Sequence, residues 1–225
     1  MAMDVWQTTI FNNLDLFVMG LWVTTQVCLI AFSVAVVFGL FLCLVRLYVK
    51  PLRLFAVIII EFCRNTPIYV QLLWVNYVWP DLFGWPNTFF AAGWTALALQ
   101  SSGYLAETFR SGIQGISKGH VEAAYSLGLS PIHTIFRILL PQAFLTMAPS
   151  IMNQFLVTVK ASTLVSVIAV PDLMYQALRL TSKWFQPVEI LSFTAFLYIV
   201  IVFVLSQLFK QYSDTLGRRY GVTGR

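Results

Sequence analysis

The chain has 225 residues, 59% of them hydrophobic and 10% charged, with a formal net charge of +5. Soluble domains carry about a quarter charged residues, so this chain could not cover a water-facing surface, and it is too apolar to stay disordered. A mean hydropathy of +0.78 with 16% aromatic residues describes a protein of the bilayer. The basic surplus does not indicate nucleic acid, because Lys and Arg fall in short clusters between apolar runs, as in the encoding of membrane orientation.

A helix that crosses the hydrocarbon needs about 20 apolar residues. Five stretches predict such spans, at 16–45, 54–79, 88–110, 138–160 and 190–209, so the chain reads as one all-α integral membrane domain over 1–225. The first apolar run, Leu16 to Val45, has no charge at all, while Glu61 and Arg64 interrupt the second. Gly84-Trp85-Pro86-Asn87 reads as a turn before the third. Loop charge alternates along the chain. The segment before the first span holds Asp4 and Asp15 without a cation, and the next loop holds Arg46, Lys50 and Arg53. Asp81 stands alone after the second span; Arg110, Lys118 and Arg137 follow the third; Lys210, Arg218, Arg219 and Arg225 follow the fifth. Cations collect on the cytoplasmic side, which predicts an outside N-terminus and a cytoplasmic C-terminus. Arg179 and Lys183, on the outer side, run against the rule, with Asp172 and Glu189 flanking them.

Trp74, Trp79 and Trp85 crowd the outer ends of spans two and three, and Tyr48 and Tyr212 sit at inner ends, the headgroup levels that amphipathic rings prefer. Cys28, Cys43 and Cys63 lie in apolar stretches and read as small fillers; on one helix the first two stand about 22 Å apart, too far for a disulfide. A cleaved leader is not expected, since the first cation is Arg46.

The loop at 115–135 carries the most information. Gly119-His120-Val121-Glu122-Ala123-Ala124-Tyr125-Ser126-Leu127-Gly128-Leu129 predicts a short amphipathic helix with Val121, Ala124, Leu127 and Gly128 on one face, stopped by Ser130-Pro131. A hydrophobic knob held outside the membrane wants a partner surface, or else it lies on the headgroups. His120 and His133 are 13 apart without Cys nearby and read as solvated, so no metal site is expected. There is no phosphate-binding G-x-x-x-x-G-K-[ST] loop and no nucleophilic triad.

Glu122-Ala123-Ala124, Gly128, then Ile138, Leu140 and Pro141 have the spacing E-A-A-x3-G-x9-I-x-L-P. With Glu61-Phe62-Cys63-Arg64-Asn65-Thr66-Pro67 and Gln71, Gly103 to Ile113, Leu140 to Phe144 and Lys160 to Ile168, the chain resembles the polar amino-acid branch of bacterial ATP-binding-cassette (ABC) importer permeases. That resemblance implies the type I importer permease fold in the bacterial inner membrane, with Gly119, Glu122, Ala123, Ala124 and Gly128 forming a coupling helix. It implies a cytoplasmic ATPase dimer that holds ATP and Mg, a second permease subunit, identical or related, and an extracytoplasmic substrate-binding protein. No cofactor is then expected in this chain, and no catalysis.

Charges within spans are candidates for a substrate path. Glu61 and Arg64 share a helix face at i,i+3 and either line the path or form an ion pair at the inner end of span two. Thr66 and Gln71, from the matched stretch, join them as path residues. Glu107 and Arg110 repeat the spacing and read as structural. Lys160, followed by Ser162 and Thr163, fits the α-carboxylate of a zwitterion if the helix breaks there and frees backbone N–H groups; otherwise Lys160 marks the outer boundary of span four. Ala161 stands where the family commonly has Asn or Asp, which removes a polar group from that pocket. The rival function is a stand-alone secondary transporter or channel, which would want inverted repeats and a mid-membrane carboxylate.

Overall fold

In the computed structural model, residues 10–116 and 139–219 are described, together with 119, 124, 126, 128–134 and 137 of the loop between them. Among these residues all regular structure is helical. After a 3-10 turn at Phe11–Asn13, α1 (Leu14–Tyr48) runs for 35 residues. Its buried Gly20, Thr24, Val27, Ala31, Ala35 and Gly39 recur at steps of three and four, so one narrow stripe faces protein and the remainder is left for lipid.

The stretch predicted as one span at 54–79 is not a single helix. It is α2 (Arg53–Asn65) and α3 (Ile68–Tyr77), bent by 108° at their junction. The break follows from Pro67, which has no N–H to donate and confines Thr66 to extended backbone, φ −75° and ψ 126°. A short α4 (Trp79–Phe83) follows, and then α5 (Phe89–Gln114), whose first turn is capped by Thr88 accepting the Ala91 N–H at 3.1 Å. The outer aromatic belt is a chain of edge contacts: Trp74 to Trp79 at 5.5 Å, Trp79 to Phe83 at 5.4 Å, and Trp85 to Trp94 at 5.4 Å.

Beyond the short α6 (Pro131–Thr134), α7 (Leu140–Ala161) passes directly into a 3-10 turn at Ser162–Ile168. An amphipathic α8 (Leu173–Trp184) fills a region where the sequence reading has no element, and α9 (Pro187–Arg219) exceeds the predicted 190–209 at both ends. By length and composition, residues 11–48, 140–168 and 187–215 can each cross a membrane, and the bent α2–α3 pair counts as a fourth when taken as one broken span. The central α5, at 26 residues, is long enough but not apolar enough by itself. It is buried among the others along Ala92, Ala96, Ser101, Ser102, Leu105 and Ala106, so its small and hydroxylated residues meet protein rather than lipid.

Close crossings hold the bundle together. A Cβ on Gly39 would lie 2.8 Å from the Ser102 carbonyl oxygen, and one on Gly103 would lie 3.0 Å from that of Ile60. Bare backbone therefore lets α1 and α2 settle onto α5, as packing in lipid requires, where burial brings little hydrophobic gain. Val27, Leu72, Leu97, Val165 and Ile168 form one core, and Leu42, Ile60, Leu105, Phe109 and Met147 a second. A third joins Phe17 to Leu173, Leu180 and Ile190, fixing α8 beside the N-terminal part of α1 and the start of α9.

The first turn of α8 is anchored by polar groups. Asp172 is fully buried, its Oδ1 accepts the Tyr175 N–H at 2.9 Å, and the Leu173 N–H reaches Thr24 Oγ1 at 3.1 Å. Burial pushes the Asp172 carboxyl up to about 7, against the lowering effect of the Tyr175 N–H. The folded protein thus keeps a proton that the unfolded chain releases above its ordinary carboxylate range. Stability should fall as pH rises toward 7, with the loss complete above it, on the order of ~1.4 kcal/mol per pH unit over that window. Asp172→Asn keeps the cap and cannot ionise. Thermal melts at pH 5 and pH 8 should show a wild-type drop in Tm that is reduced in this variant; equal drops would refute the assignment.

Candidate functional site

The inner loop places Ala124 in a buried position and Gly119 and Ser126 in exposed ones. The Leu129 N–H returns to the Ala124 carbonyl at 3.1 Å, and Gly128 adopts φ +74°. That is the glycine-terminated closure of a helix, in which only glycine enters the left-handed region without strain. Nothing lies within 4 Å of where a Gly128 Cβ would be. The stop is therefore Gly128 and not Ser130-Pro131. Ser130 instead opens α6, its carbonyl accepting the Thr134 N–H at 2.9 Å and its hydroxyl standing 3.0 Å from His133 Nδ1. Glu122, Ala123 and His120 lie outside the described residues.

At the inner ends of the helices, Glu107 of α5 is a hub. Its Oε1 pairs with Arg46 of α1 and lies 3.8 Å from Arg64 of α2, and its Oε2 accepts from Arg110 Nε at 2.8 Å. Arg64 also faces Glu61 at 3.6 Å and stacks on Tyr104, 5.5 Å from the ring centre. Both i,i+3 pairs expected from spacing are present, and the structure merges them into one network. Arg46 was not legible, because 61 residues separate it from Glu107 and only the crossing of α1 over α5 brings them together. Glu61 in turn accepts from Asn65 Nδ2 at 2.7 Å, and the Thr66 hydroxyl bonds back to the Phe62 carbonyl at 2.8 Å. Both groups serve the end of α2. Gln71, past the bend, is fully buried with neither amide atom hydrogen-bonded.

A polar cavity of about 530 Å³ lies between α5 and α7, lined by Tyr104, Thr108, Ser111, Ser150, Asn153 and Gln154 among others, with Glu107 and Arg110 in its wall. Deeper, Ser101 and Thr158 share a hydrogen bond of 2.9 Å. Gln154 Nε2 reaches the same Ser101 hydroxyl at 3.5 Å. Tyr104, Ser111, Ser150 and Asn153 are exposed. A row of hydroxyls and amides on the outside of a membrane bundle cannot face lipid tails. The i,i+4 recurrence of Tyr104, Thr108 and of Ser150, Gln154, Thr158 was the available sequence signal, hidden among small residues that read as packing.

Around Lys160 the expected gap in backbone bonding is absent. The α-helix tightens into the 3-10 turn, and the Ser162 N–H reaches the Lys160 and Thr158 carbonyls. Ser162, fully buried, donates its hydroxyl to the Val159 carbonyl at 2.8 Å, and Thr163 donates to that of Lys160 at 2.9 Å. Lys160 itself is exposed. The three residues are adjacent in sequence, but among the described residues Lys160 has no ion-pair partner and the two hydroxyls are committed to their own turn. Among the described residues no group of His, Cys, Asp and Glu could hold a metal ion.

Residues 35–221 match the family described as the binding-protein-dependent transport system inner membrane component. A "Probable glutamine ABC transporter permease protein" of Bacillus subtilis (strain 168) is 36% identical over 203 residues, covering 88% of this chain and 91% of the relative. The arginine transport system permease protein of the same organism is 31% identical over 192 residues, covering 85% and 88%. Among solved structures, an amino acid ABC transporter with histidines superposes with a TM-score of 0.84 at 35% identity, covering 92% of this chain and 96% of that one. An inward-facing methionine ABC transporter shares the fold at a TM-score of 0.77 and 16% identity, over 91% and 98%.

Proposed function

The chain belongs to the inner-membrane components of binding-protein-dependent transport systems, and from that premise we propose that it is the permease subunit of an ATP-driven importer of polar amino acids. The observation that carries the reading is the polar face of α5 and α7, exposed on a bundle that elsewhere exposes many large apolar side chains. A second permease subunit, the same chain or a sister, covers that face, and the path runs between the two. Hydroxyls and amides there replace part of the hydration shell of a zwitterion, and Glu107 with its arginines closes the inner end. The exposed Lys160 takes the α-carboxylate at the outer side of the path, while Ser162 and Thr163 brace its turn.

Energy enters through the loop. The helix that Gly128 closes, with Gly119 and Ala124 described and Glu122 and Ala123 matched by motif, docks in a groove of a separate cytoplasmic ATPase that holds ATP and Mg. Closure of the ATPase dimer moves the loop, and the attached helices tilt as rigid bodies. An extracytoplasmic binding protein delivers the amino acid. The test is reconstitution with the ATPase and binding protein in proteoliposomes. Gly128→Trp, alone or with Glu122→Ala, should abolish ligand-stimulated hydrolysis and uptake together. Asn153→Leu should lower uptake about tenfold or more, the scale for one lost polar contact in a wet path. Retention of both activities in both variants would refute the reading.

A further inference from the structure

The outer cations that run against the orientation rule, Arg179 and Lys183, have no role in the path or the loop. They lie one turn apart on α8, both exposed, and among the described residues neither makes an ion pair. Large apolar side chains stand beside them. The Lys183 ammonium sits 5.2 Å over the Trp184 ring, Phe185 is 87% exposed and Val188 is 73% exposed. Phe185 also holds φ +54°, a backbone region that L-residues other than glycine enter only at a cost, and its N–H closes α8 on the Thr181 carbonyl at 2.9 Å. Among the described residues little covers that ring, which the left-handed turn projects from the end of α8.

We propose that the exposed face of α8 is a binding site for anionic phospholipid headgroups of the outward leaflet, with Arg179 and Lys183 holding the phosphate and Trp184, Phe185 and Val188 seated in the adjoining acyl boundary. The depth is right for this. The opposite face of α8, through Leu173, Ala177 and Leu180, packs on the N-terminal part of α1 and the start of α9, which places the helix at the outer end of the bundle. Of the two flanking acids, Asp172 is buried and Glu189 stands half-buried in the first turn of α9, so two exposed cations against that one acid leave the patch with net positive charge. Cations interleaved with bare aromatic and aliphatic side chains fit a headgroup layer, which supplies phosphate and hydrocarbon within a few ångströms.

This inference shares the membrane orientation of the proposed function but not its cargo or its energy source, and its test does not read transport. Cys28, Cys43 and Cys63 are buried, so Ser182→Cys on the exposed face can be labelled alone with an environment-sensitive fluorophore. The full chain with its partners is placed in nanodiscs holding brominated phosphatidylglycerol or brominated phosphatidylcholine. Phosphatidylglycerol should quench the label more strongly, by a preference of about fivefold per cation, falling with added salt. Arg179→Gln with Lys183→Gln should bring the two lipids level. Phe185→Gly should keep the headgroup preference while shifting the label toward a more aqueous emission. The proposal is overturned if wild type shows no preference, if the preference survives the double variant, or if that variant leaves quenching unchanged and instead weakens capture of the extracytoplasmic binding protein.

Discussion

Gly39→Leu should yield no folded protein that survives extraction in mild detergent. A Cβ at this position meets the Ser102 carbonyl oxygen at 2.8 Å, Leu105 Cβ at 3.1 Å and the Ala106 nitrogen at 3.2 Å. Two of the three obstacles are backbone, so no rotamer change relieves them, and the most extensively packed helix pair of the molecule must move apart. Even Gly39→Ala is a contest of known scale. Alanine gains about 1 kcal/mol in helix propensity, whereas overpacking a tight contact costs about 1–3 kcal/mol. With backbone as the obstacle the cost wins, and alanine should lower Tm while leucine abolishes the monodisperse peak in size-exclusion chromatography. Gly84→Ala is the control. It sits at φ +69° with open space around it, so it should carry only a local strain of about 1 kcal/mol and leave assembly intact. A leucine variant at Gly39 that elutes and melts like wild type would refute the crossing as described.

Glu107→Gln should be the most damaging single change of charge in the chain. The substitution keeps shape and volume but leaves Arg46, Arg64 and Arg110, drawn from three helices, with Glu61 as the remaining carboxylate of the network. Breaking a buried ion pair by removing one partner costs about 3–5 kcal/mol; these side chains are 19–32% exposed, so water recovers part of it and about 2 kcal/mol is expected. Thermal unfolding of the purified protein should show the loss, and a double-mutant cycle with Arg46→Gln should show that much of it is shared. Uptake should fall as well, since the hub fixes α1 and α2 to α5 beside the inner end of the polar cavity. Strict additivity with Arg46→Gln would dissolve the hub into independent surface pairs.

The class of protein was legible from composition, because a bilayer selects for apolar residues everywhere except the loops, and charge alternation between loops orders the helices. The short helix of the inner loop was legible from its spacing, which short-range sequence encodes, but its closure lies at Gly128 and not at Ser130-Pro131. The i,i+3 pairs Glu61–Arg64 and Glu107–Arg110 follow from helical spacing alone. What spacing cannot carry is a contact between distant helices. That Arg46 completes the Glu107 hub, or that Ser101 meets Thr158, depends on how close α1 and α7 come to α5.

The bend at Thr66–Pro67 divides the two kinds of knowledge. Proline by itself determines that the helix ends there, through its missing N–H and the extended backbone it imposes on the residue before it. The 108° angle that follows, and the burial of Gln71 beyond it, were decided by packing against α5 and the 3-10 turn. The same holds at Lys160. Sequence proposed a break, but tertiary contacts kept Ser162 buried and let the backbone tighten rather than open, because an unpaired N–H at that depth has no water to turn to. The amino-acid sequence thus determined which solvent each segment must face and where the backbone cannot remain helical. Only the assembled bundle decided which polar groups meet, since in lipid those encounters depend on helix approach distances set by a few glycines and not by any local pattern.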